Sequence, residues 1–328
     1  MKTMKRMAVS ALALGLVFAA GCKRHSLKET YVLVTNNVNL PYWQSAANGF
    51  IQAGTQLGVT ASVVGPETYD AQGELAALKQ AVAKKPSGIL ISVPDVAVLQ
   101  PEINAAIDAG IPVVTMDSDA PGSKRLFFIG TNNVEAGRMG GRQLITLMGG
   151  HGNVVFFTQS GQTNTEDRLK GFKDILDSRP DIHIVDVVDI KGDPRVAFDK
   201  AQQYLAQTGA KKIDALVCLE ASSGRQVAEV VRRMKAEDRA VITWDVDPDV
   251  LNAIKSGEVD ATIAQKPYTM GYYGLKALDE IFHDPPKTLN EDFAADPFSP
   301  YPSFIDTGTA LVDKENVGRY LAAAAQHK

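Results

Sequence analysis

Amide and aromatic side chains follow directly on an apolar run near the start of the chain, in the stretch YVLVTNNVNLPYW. Asn36 and Asn39 offer both hydrogen-bond donors and acceptors, and Tyr42 and Trp43 offer flat apolar rings. Together these groups suit a neutral, hydroxylated small molecule with one hydrophobic face, such as a sugar. The alternative is a polar turn followed by two core aromatics, and this stretch alone does not favour either interpretation.

The sequence carries none of the short motifs that indicate an enzyme. No Gly-x-Gly-x-x-Gly follows the first apolar run, and no Walker-type loop, HExxH pair or cysteine pair with metal-ligand spacing occurs. The histidines are scattered, so no base stands beside a candidate nucleophile. Asp117 and Asp245 could form a glycosidase pair, but the same acids also serve plain hydroxyl binding. We therefore expect a non-enzyme without cofactor or metal.

The start of the chain has the pattern of an export signal. Lys2, Lys5 and Arg6 precede an apolar run that ends in Ala-Ala-Gly before Cys22. A cysteine in this place looks like the lipidated first residue of a bacterial lipoprotein. The apolar run is too short for a membrane-spanning helix and is followed by polar sequence. We expect removal of residues 1–21, a tether over residues 22–29, and a location in the periplasm or at the cell surface, with Cys22 anchored in a membrane.

Charge and cysteine content exclude other classes of partner. The formal net charge is −4, and residues 1–21 hold three basic and no acidic residues, so the mature chain carries −7. No basic excess remains to neutralise phosphates, and we expect no nucleic-acid binding. Cys218 lies in the apolar run ALVCL, and with Cys22 lipidated it would have no disulfide partner, so we expect a buried thiol.

Apolar runs alternate with helical patterns along most of the chain, which predicts parallel sheets with helices on both faces. Two successive series of runs, with a break near Thr131, predict two doubly wound α/β lobes. The predicted strands are Tyr31–Val34, Ala61–Val64, Gly88–Ser92, Val113–Met116 and Phe127–Ile129, then Val154–Phe157, Ile184–Val188, Leu216–Leu219, Val241–Thr243 and Thr262–Ala264. A last extended segment, Ile305–Thr309, precedes a short helix.

Several of these segments resemble the periplasmic ribose-binding-type proteins, the solute receptors of bacterial ABC sugar importers. The matching motifs are N-x-x-N-x-P-Y-W from Asn36, Arg168-x-x-Gly-Phe, and ATIAQ ending at Gln265 before a proline. The resemblance runs from about residue 31 to about residue 320. It implies a type I periplasmic binding protein fold with one lobe of residues 30–131 and 266–306, another of residues 132–265 and 307–328, and a three-strand hinge.

The resemblance also implies a ligand held in the cleft by polar strand ends of both lobes. Carried over residue by residue, the ligand set is Asn36, Asn39, Tyr42, Trp43, Asp117, Asn164, Arg168, Glu220, Asp245 and Gln265. Glu220 stands where the family usually carries asparagine, and Ser118 where arginine is frequent. An ionised glutamate only accepts hydrogen bonds, so Glu220 implies a ligand that presents a donor at that point.

The resulting expectation is a monomeric receptor that binds a monosaccharide, such as ribose or xylose, and delivers it to ABC permease subunits by hinge closure. There are three alternatives to a transport function. A sensor that presents its sugar to a signalling receptor would use the same lobes, and a sugar-acting enzyme lacks a catalytic motif. A sugar-responsive repressor would carry a helix-turn-helix where this chain has an export signal.

Replacement of Cys22 tests the anchor. The variant Cys22→Ser keeps the small polar side chain but cannot form the thioether to lipid, so the protein should move from the membrane to the soluble fraction. Cell fractionation with immunoblotting measures this, and Cys218→Ser is the matched control, which should fractionate like wild type. Equal fractionation of Cys22→Ser and wild type would show the assignment to be wrong.

Overall fold

The computed structural model describes residues 25–293 and 295–326, and Cys22 lies outside them. Over this part of the chain, ten α-helices and twelve strands form two sheets. The predicted α/β class with two mostly parallel sheets is therefore confirmed. Helices pack against both sheets, and separate apolar cores fill the two halves of the molecule.

The elements are numbered in chain order. The first nine are β1 Thr30–Val34, α1 Pro41–Leu57, β2 Thr60–Val64, α2 Ala71–Ala83, β3 Gly88–Ile91, α3 Val96–Asp108, β4 Val113–Met116, β5 Phe128–Gly130 and α4 Asn133–Met148. The next are β6 Gly152–Thr158, α5 Thr163–Leu176, β7 Ile182–Asp189, α6 Pro194–Leu205, a 3-10 turn Gly209–Lys211, β8 Ala215–Cys218, α7 Ala221–Met234, β9 Ala240–Trp244 and α8 Pro248–Ser256. The last are β10 Ala261–Ala264, α9 Pro267–His283, β11 Phe304–Asp306, β12 Ala310–Asp313 and α10 Val317–Gln326.

The two sheets have the same strand order. The first runs β11–β5–β4–β3–β1–β2 and the second β12–β10–β9–β8–β6–β7, so the second series of strands repeats the topology of the first. Strand β12 pairs antiparallel with β10, whereas β11 lies parallel to β5. The single extended segment predicted around Ile305–Thr309 is in fact two strands, because the chain leaves one sheet after Asp306 and joins the other at Ala310.

The chain passes between the two sheets three times. The crossings are the short segments between β5 and α4, between β10 and α9, and between β11 and β12. Helix α9 belongs to the first half, because it packs on α1 and on strands β3, β4 and β5. Three neighbouring connections are the geometry expected for a hinge between two bodies.

Several inner strands of the two sheets are buried on both faces. Strands β3, β4, β8 and β10 are buried along their whole length, as is typical of parallel strands between two helical layers. Cys218 ends β8, and burial raises the pKa of its thiol. Because such strands have no exposed face, their charged and amide side chains appear only where they end, at the edge that binds ligands in α/β sheets.

Helix boundaries place side chains at that edge. Pro41 begins α1 at a position where its missing N–H costs nothing, so the chain turns straight from the loop after β1 into a helix. Tyr42 and Trp43 therefore lie in the first turn of α1, facing the strand ends. In the second half, the side chain of Asn132 accepts a hydrogen bond from Glu135 N and caps α4 directly after a crossing.

One helix crossing in each half depends on glycine. A Cβ on Gly137 of α4 would lie 2.1 Å from Arg168 O of α5, and one on Gly171 would lie 2.1 Å from Val134 O. The same occurs between α1 and α9, where a Cβ on Gly49 would lie 2.0 Å from Tyr268 O. The helix backbones are thus in direct contact at both crossings. The α4–α5 contact fixes the position of Arg168 relative to α4. Within the described residues, no helix combines the length and apolar character needed to cross a bilayer.

Alanine at Gly137 should destabilise the fold. Its methyl would overlap the backbone oxygen of Arg168, and overpacking of this kind costs about 1–3 kcal/mol. Gly318→Ala is the control, because its Cβ meets no atom within 4 Å in α10, and it should be neutral or stabilise by up to about 1 kcal/mol. Urea unfolding followed by circular dichroism measures both, and a Gly137→Ala protein as stable as wild type would contradict the close-packing argument.

Candidate functional site

Nearly all the expected ligand residues converge where the carboxyl ends of the two sheets face each other. Their side chains come from strand ends and from the first turns of helices α1 and α5. Each of the following is at most 8% exposed: Asn36, Tyr42, Trp43, Asp117, Asn164, Arg168, Glu220, Asp245 and Gln265. The structure thus assembles one buried polar group from both halves of the chain.

Asn39 is the exception. Its side chain is exposed, and its Nδ2 donates to the backbone oxygen of Glu67 at 3.1 Å. Its backbone N–H donates to Asn37 Oδ1 at 3.1 Å. Asn39 therefore stabilises the loop before α1 and lies outside the buried group, so a role in binding stays a prediction for it.

Asp117, directly after β4, joins the two halves. Its Oδ1 accepts from Tyr42 Oη at 2.7 Å, and its Oδ2 accepts from Ser92 Oγ at 3.4 Å and from Asn164 Nδ2 at 3.2 Å. Tyr42 and Ser92 belong to the first half and Asn164 to the second. A carboxylate that accepts hydrogen bonds from both sides of a cleft holds the two halves together. These bonds can form only while both halves are closed around the carboxylate.

Arg168 in α5 is held by its own half of the molecule. Its Nε donates to Asn133 Oδ1 at 2.9 Å, one terminal nitrogen to Leu219 O at 2.8 Å, and the other to Gln265 Oε1 at 3.0 Å. Its guanidinium carbon lies 4.5 Å from the centre of the Trp244 ring. The group is thereby fixed in one orientation, with two of its five N–H groups left over after these bonds.

Gln265 connects the buried candidate ligand residues to the segments in which the chain crosses between the halves. It follows β10, its Nε2 donates to Asp245 Oδ1 at 2.8 Å, and its Oε1 accepts from Thr131 Oγ1 at 2.9 Å as well as from Arg168. Thr131 and Gln265 each stand on a connecting segment. Any rotation about these segments therefore changes the bonds that orient Asp245 and Arg168.

Burial shapes the electrostatics of the site. The pKa of Asp245 is raised to about 7, and burial is the main cause; Arg168 and Gln265 oppose the rise, whereas the charges of Asp117 and Glu220 add to it. Burial also raises the pKa of Asp117, against the lowering effect of Arg168. Tyr42 has its pKa raised by burial and then by Asp117, so its hydroxyl stays protonated and donates. These carboxylates lack enough hydrogen bonds and positive charge to offset their burial.

Two direct hydrogen bonds join the halves at the rim of the cleft. Thr163 begins α5, and its hydroxyl accepts from Asp119 N at 2.9 Å and donates to Asp119 O at 3.0 Å. Ser118 Oγ lies 3.4 Å from the same hydroxyl. The two halves are therefore in contact across the cleft, which is the arrangement expected of a hinged pair in its closed form. Ser118 therefore takes part in this contact between the halves at the rim of the cleft.

Glu220 has a structural role as a helix cap, and this role competes with ligand binding. It is the N-cap of α7, and its carboxylate accepts from the backbone N–H groups of Ser222 at 2.6 Å and Ser223 at 2.9 Å. Both serine hydroxyls also donate to it. Four local donors occupy the acceptor positions of the carboxylate, so its contact with a ligand stays a prediction and would require one of these hydroxyls to turn away.

Sequence reasoning missed several members of the site. Ser92 and Thr131 follow β3 and β5, and the rule that identified Asp117 and Gln265 as polar strand ends applies equally to them. Trp244 is completely buried, and its indole nitrogen makes no hydrogen bond among the described residues. Asn133 carried no signal in the sequence, because its role depends on the position of α4 beside α5.

Neutralising Asp245 should stabilise the protein without ligand and remove a pH dependence. Since its folded pKa, about 7, lies above the ordinary value of 3.8, the folded state binds the proton more tightly than the unfolded state. The free energy of unfolding then falls as pH rises from about 4 to about 7 and is level above that. Asp245→Asn abolishes this fall and should be more stable than wild type at pH 8, by at most about 4 kcal/mol.

Urea unfolding of both proteins at pH 5 and pH 8 measures the difference. Asp199→Asn, which replaces an exposed carboxylate on α6, is the control and should follow wild type at both values. If Asp245→Asn and wild type lose the same stability between pH 5 and pH 8, the carboxylate is not strained by its burial.

Comparison with known proteins places this arrangement in a family. The chain is 26% identical over 291 residues to the ribose import binding protein RbsB of Escherichia coli (strain K12), which covers 85% of this chain and 93% of that protein. The crystal structure of a sugar-binding protein of a sugar ABC transporter from Bacillus halodurans superposes with a TM-score of 0.76 at 35% identity, covering 89% and 99% of the two chains. GanP, a glucose-galactose binding protein from Geobacillus stearothermophilus, gives a TM-score of 0.79 at 29% identity, covering 88% and 98%.

The family model described as a periplasmic binding protein domain matches residues 31–283, which is most of the chain. This range includes both sheets except for β11 and β12, and it contains every buried residue of the candidate site. The expected resemblance is confirmed, and the chain belongs to the periplasmic binding protein family.

Proposed function

We propose that this protein is the extracytoplasmic binding component of an ABC importer, which holds a monosaccharide such as ribose or xylose between its two halves and presents the closed form to the permease. The family membership and the sugar-binding relatives support this function. Within the molecule, the observation that carries it is the position of Asp117. This one carboxylate accepts from Tyr42 on one side of the cleft and from Asn164 on the other.

The chemistry of the buried group suits a sugar. Asp117 and Asp245 are acceptors for hydroxyl protons, and a hydroxyl that donates to them would replace part of the hydration they lose on burial. Arg168 has two N–H groups left for ring or hydroxyl oxygens, and its fixed orientation means that little freedom is lost on binding. Tyr42 and Trp43, whose rings stand at 86° to each other, offer apolar surface to one face of the ligand.

Closure follows from this distribution. We propose that residues 30–131 with 266–306 form one lobe, that residues 132–265 with 307–328 form the other, and that the lobes rotate about the three crossings. Without a sugar, closing brings Asp117 and Asp245 into the same dry space, which is unfavourable because burial raises both pKa values. A bound sugar supplies donors to both carboxylates, so its differential affinity for the closed form shifts the population.

The remaining assignments belong to the same proposal. Family membership implies export, and we propose that lipid on Cys22 anchors a monomeric protein at the outer face of a membrane. We assign the buried acids to binding and no chemical step to the site, because Asp117 and Asp245 are both engaged with neighbouring side chains as acceptors.

Calorimetric titration of wild type and Arg168→Ala with a panel of aldoses, including ribose, xylose, allose and galactose, tests the function. At least one sugar should bind wild type and decrease its radius of gyration in small-angle scattering. Arg168→Ala should bind the same sugar at least roughly ten- to hundredfold more weakly, since a buried charged hydrogen bond contributes about 1.5–3 kcal/mol.

Lys173→Ala is the matched control, because it removes an exposed cation from the same helix and should leave the affinity within about twofold. Circular dichroism checks that each variant is folded. If no sugar of the panel binds wild type, the proposed function fails. If Arg168→Ala binds like wild type, Arg168 is removed from the site.

A further inference from the structure

Another buried carboxylate lies at the edge of the first sheet that carries Asp117, and it is not among the expected ligand residues. Glu74, near the start of α2, is 0% exposed. Both of its carboxylate oxygens are buried and make no hydrogen bond among the described residues. Because a buried carboxylate without donors is costly, such a group is normally paired with a protein partner or with a ligand.

The helix that carries Glu74 places it at the cleft. The buried residues of α2 are Glu74, Leu78 and Ala81, whose spacing puts them on one face, and the helix packs on β1. Leu78 and Ala81 belong to the apolar core of the first half. Helix α2 joins two strands that are both parallel to β1, so it runs back against them and begins at the carboxyl edge of the sheet. Glu74 therefore continues the core face of α2 up to the edge where the cleft lies.

The neighbours of Glu74 support this position. Thr35 directly follows β1, is completely buried, and its Oγ1 also makes no hydrogen bond among the described residues. Burial, followed by the charge of Asp117, raises the pKa of Glu74 well above its ordinary value, so the two carboxylates act on each other. Asp117, Ser92 and Thr35 follow β4, β3 and β1, which are adjacent in the sheet. The polar strand ends thus form a row that leads from Asp117 toward α2.

The second half of the molecule covers this end of the row. Tyr69 lies in the loop before α2, and a Cβ on Gly192, which belongs to the second half, would lie 2.2 Å from Tyr69 Cδ1. Burial raises the pKa of Tyr69, the side chains of Gln159 and Gln162 from the second half lower it, and the charge of Glu74 adds to the rise. Both halves therefore meet beside Glu74, as they do around Asp117.

No protein cation offsets the charge at this end of the site. Of the lysines and arginines that the structure describes, only Arg168 is buried. Arg168 opposes the pKa rises of Asp117 and Asp245, but no cation opposes the rise of Glu74. Hydroxyl groups of a ligand could donate to Glu74, but they would leave its charge facing that of Asp117. A protonated amine supplies up to three donors together with a positive charge, so it meets both needs at once.

We propose that Glu74 binds an ammonium group of the ligand, which makes the ligand an amino-substituted monosaccharide. This inference rests on the function proposed above, because it adds one contact to a sugar held in the same cleft. Asp117, Asp245 and Arg168 bind hydroxyl and ring oxygens of that sugar, and Glu74 selects the position that carries the amine. The hydroxyl oxygen of Thr35 offers the ammonium a second acceptor.

Calorimetric titration with matched sugars tests the inference. Wild type is titrated with ribose, xylose, glucose and galactose, and with derivatives of each in which an amine replaces one hydroxyl, glucosamine and galactosamine among them. The buffer is held at about pH 6, where the amines are protonated. At least one amino sugar should bind roughly tenfold or more tightly than its parent, because a hydrogen bond between buried charged groups is stronger than one to a neutral hydroxyl.

Two variants of Glu74 separate binding from a structural role. Glu74→Gln keeps the size of the side chain but carries no charge, so it should bind amino sugar and parent with affinities within about twofold of each other. Glu74→Leu should lose the same preference and raise the melting temperature of the ligand-free protein, because it removes a buried carboxylate without donors. Glu280→Gln replaces an exposed glutamate on α9 and is the matched control, which should keep the preference of wild type.

Two outcomes would overturn the inference and leave the proposed function in place. In one, wild type binds the neutral aldoses as tightly as their amino derivatives. In the other, Glu74→Gln keeps the preference for the amine. If wild type binds no sugar at all, neutral or amino, the proposed function itself fails, so the two failures are distinguishable.

Discussion

The structure depends on the charge balance between Arg168 and the two buried aspartates, Asp117 and Asp245. Both carboxylates have their pKa raised by burial, and in both cases Arg168 opposes the shift. A single guanidinium serves two acids, and three of its own N–H groups are already donated to the protein. The closed cleft is therefore incompletely satisfied without a ligand, and the sugar that we propose would supply hydroxyl donors to it. The closed protein without ligand is less stable because of these buried carboxylates, and ligand binding restores that stability.

The repeated topology explains why the two aspartates face each other. Asp117 follows β4 and Asp245 follows β9, which occupy the same place in two sheets of identical strand order. Both residues have positive φ, 62° and 69°, a conformation that aspartate tolerates better than most side chains. The left-handed turn ends each strand abruptly and directs its carboxylate into the space between the sheets. The same backbone turn, used once in each sheet, therefore places an aspartate on each side of the site.

Supporting residues give the site its rigidity. The glycine crossing of α4 on α5 sets the position of Arg168, Trp244 lies under its guanidinium, and Gln265 holds it from a connecting segment. Because Gln265 also contacts Thr131 on another connection, the site and the hinge share hydrogen bonds. In the function that we propose, binding and closure are coupled through these side chains rather than through the sheets, whose buried strands have no freedom to move independently.

The sequence alone determined the alternation of strands and helices, because burial on both faces leaves a continuous apolar run that ends in polar residues. All ten strands predicted in the two series overlap β1 to β10, and the polar strand ends identified Asp117, Asp245 and Gln265. It also carried the motifs of the family. These features are local, so a few neighbouring residues are enough to express them.

Only the tertiary structure decided which distant residues share one environment. It separated β11 from β12, placed Asn133 on Arg168, and made Glu220 the cap of α7, with its acceptors filled by Ser222 and Ser223. Histidines that looked scattered, His25 and His283, come within ring contact at 4.9 Å between centroids. Such contacts are set by how helices and sheets pack, which no local pattern encodes, because the free energy that holds them comes from burial across the whole chain.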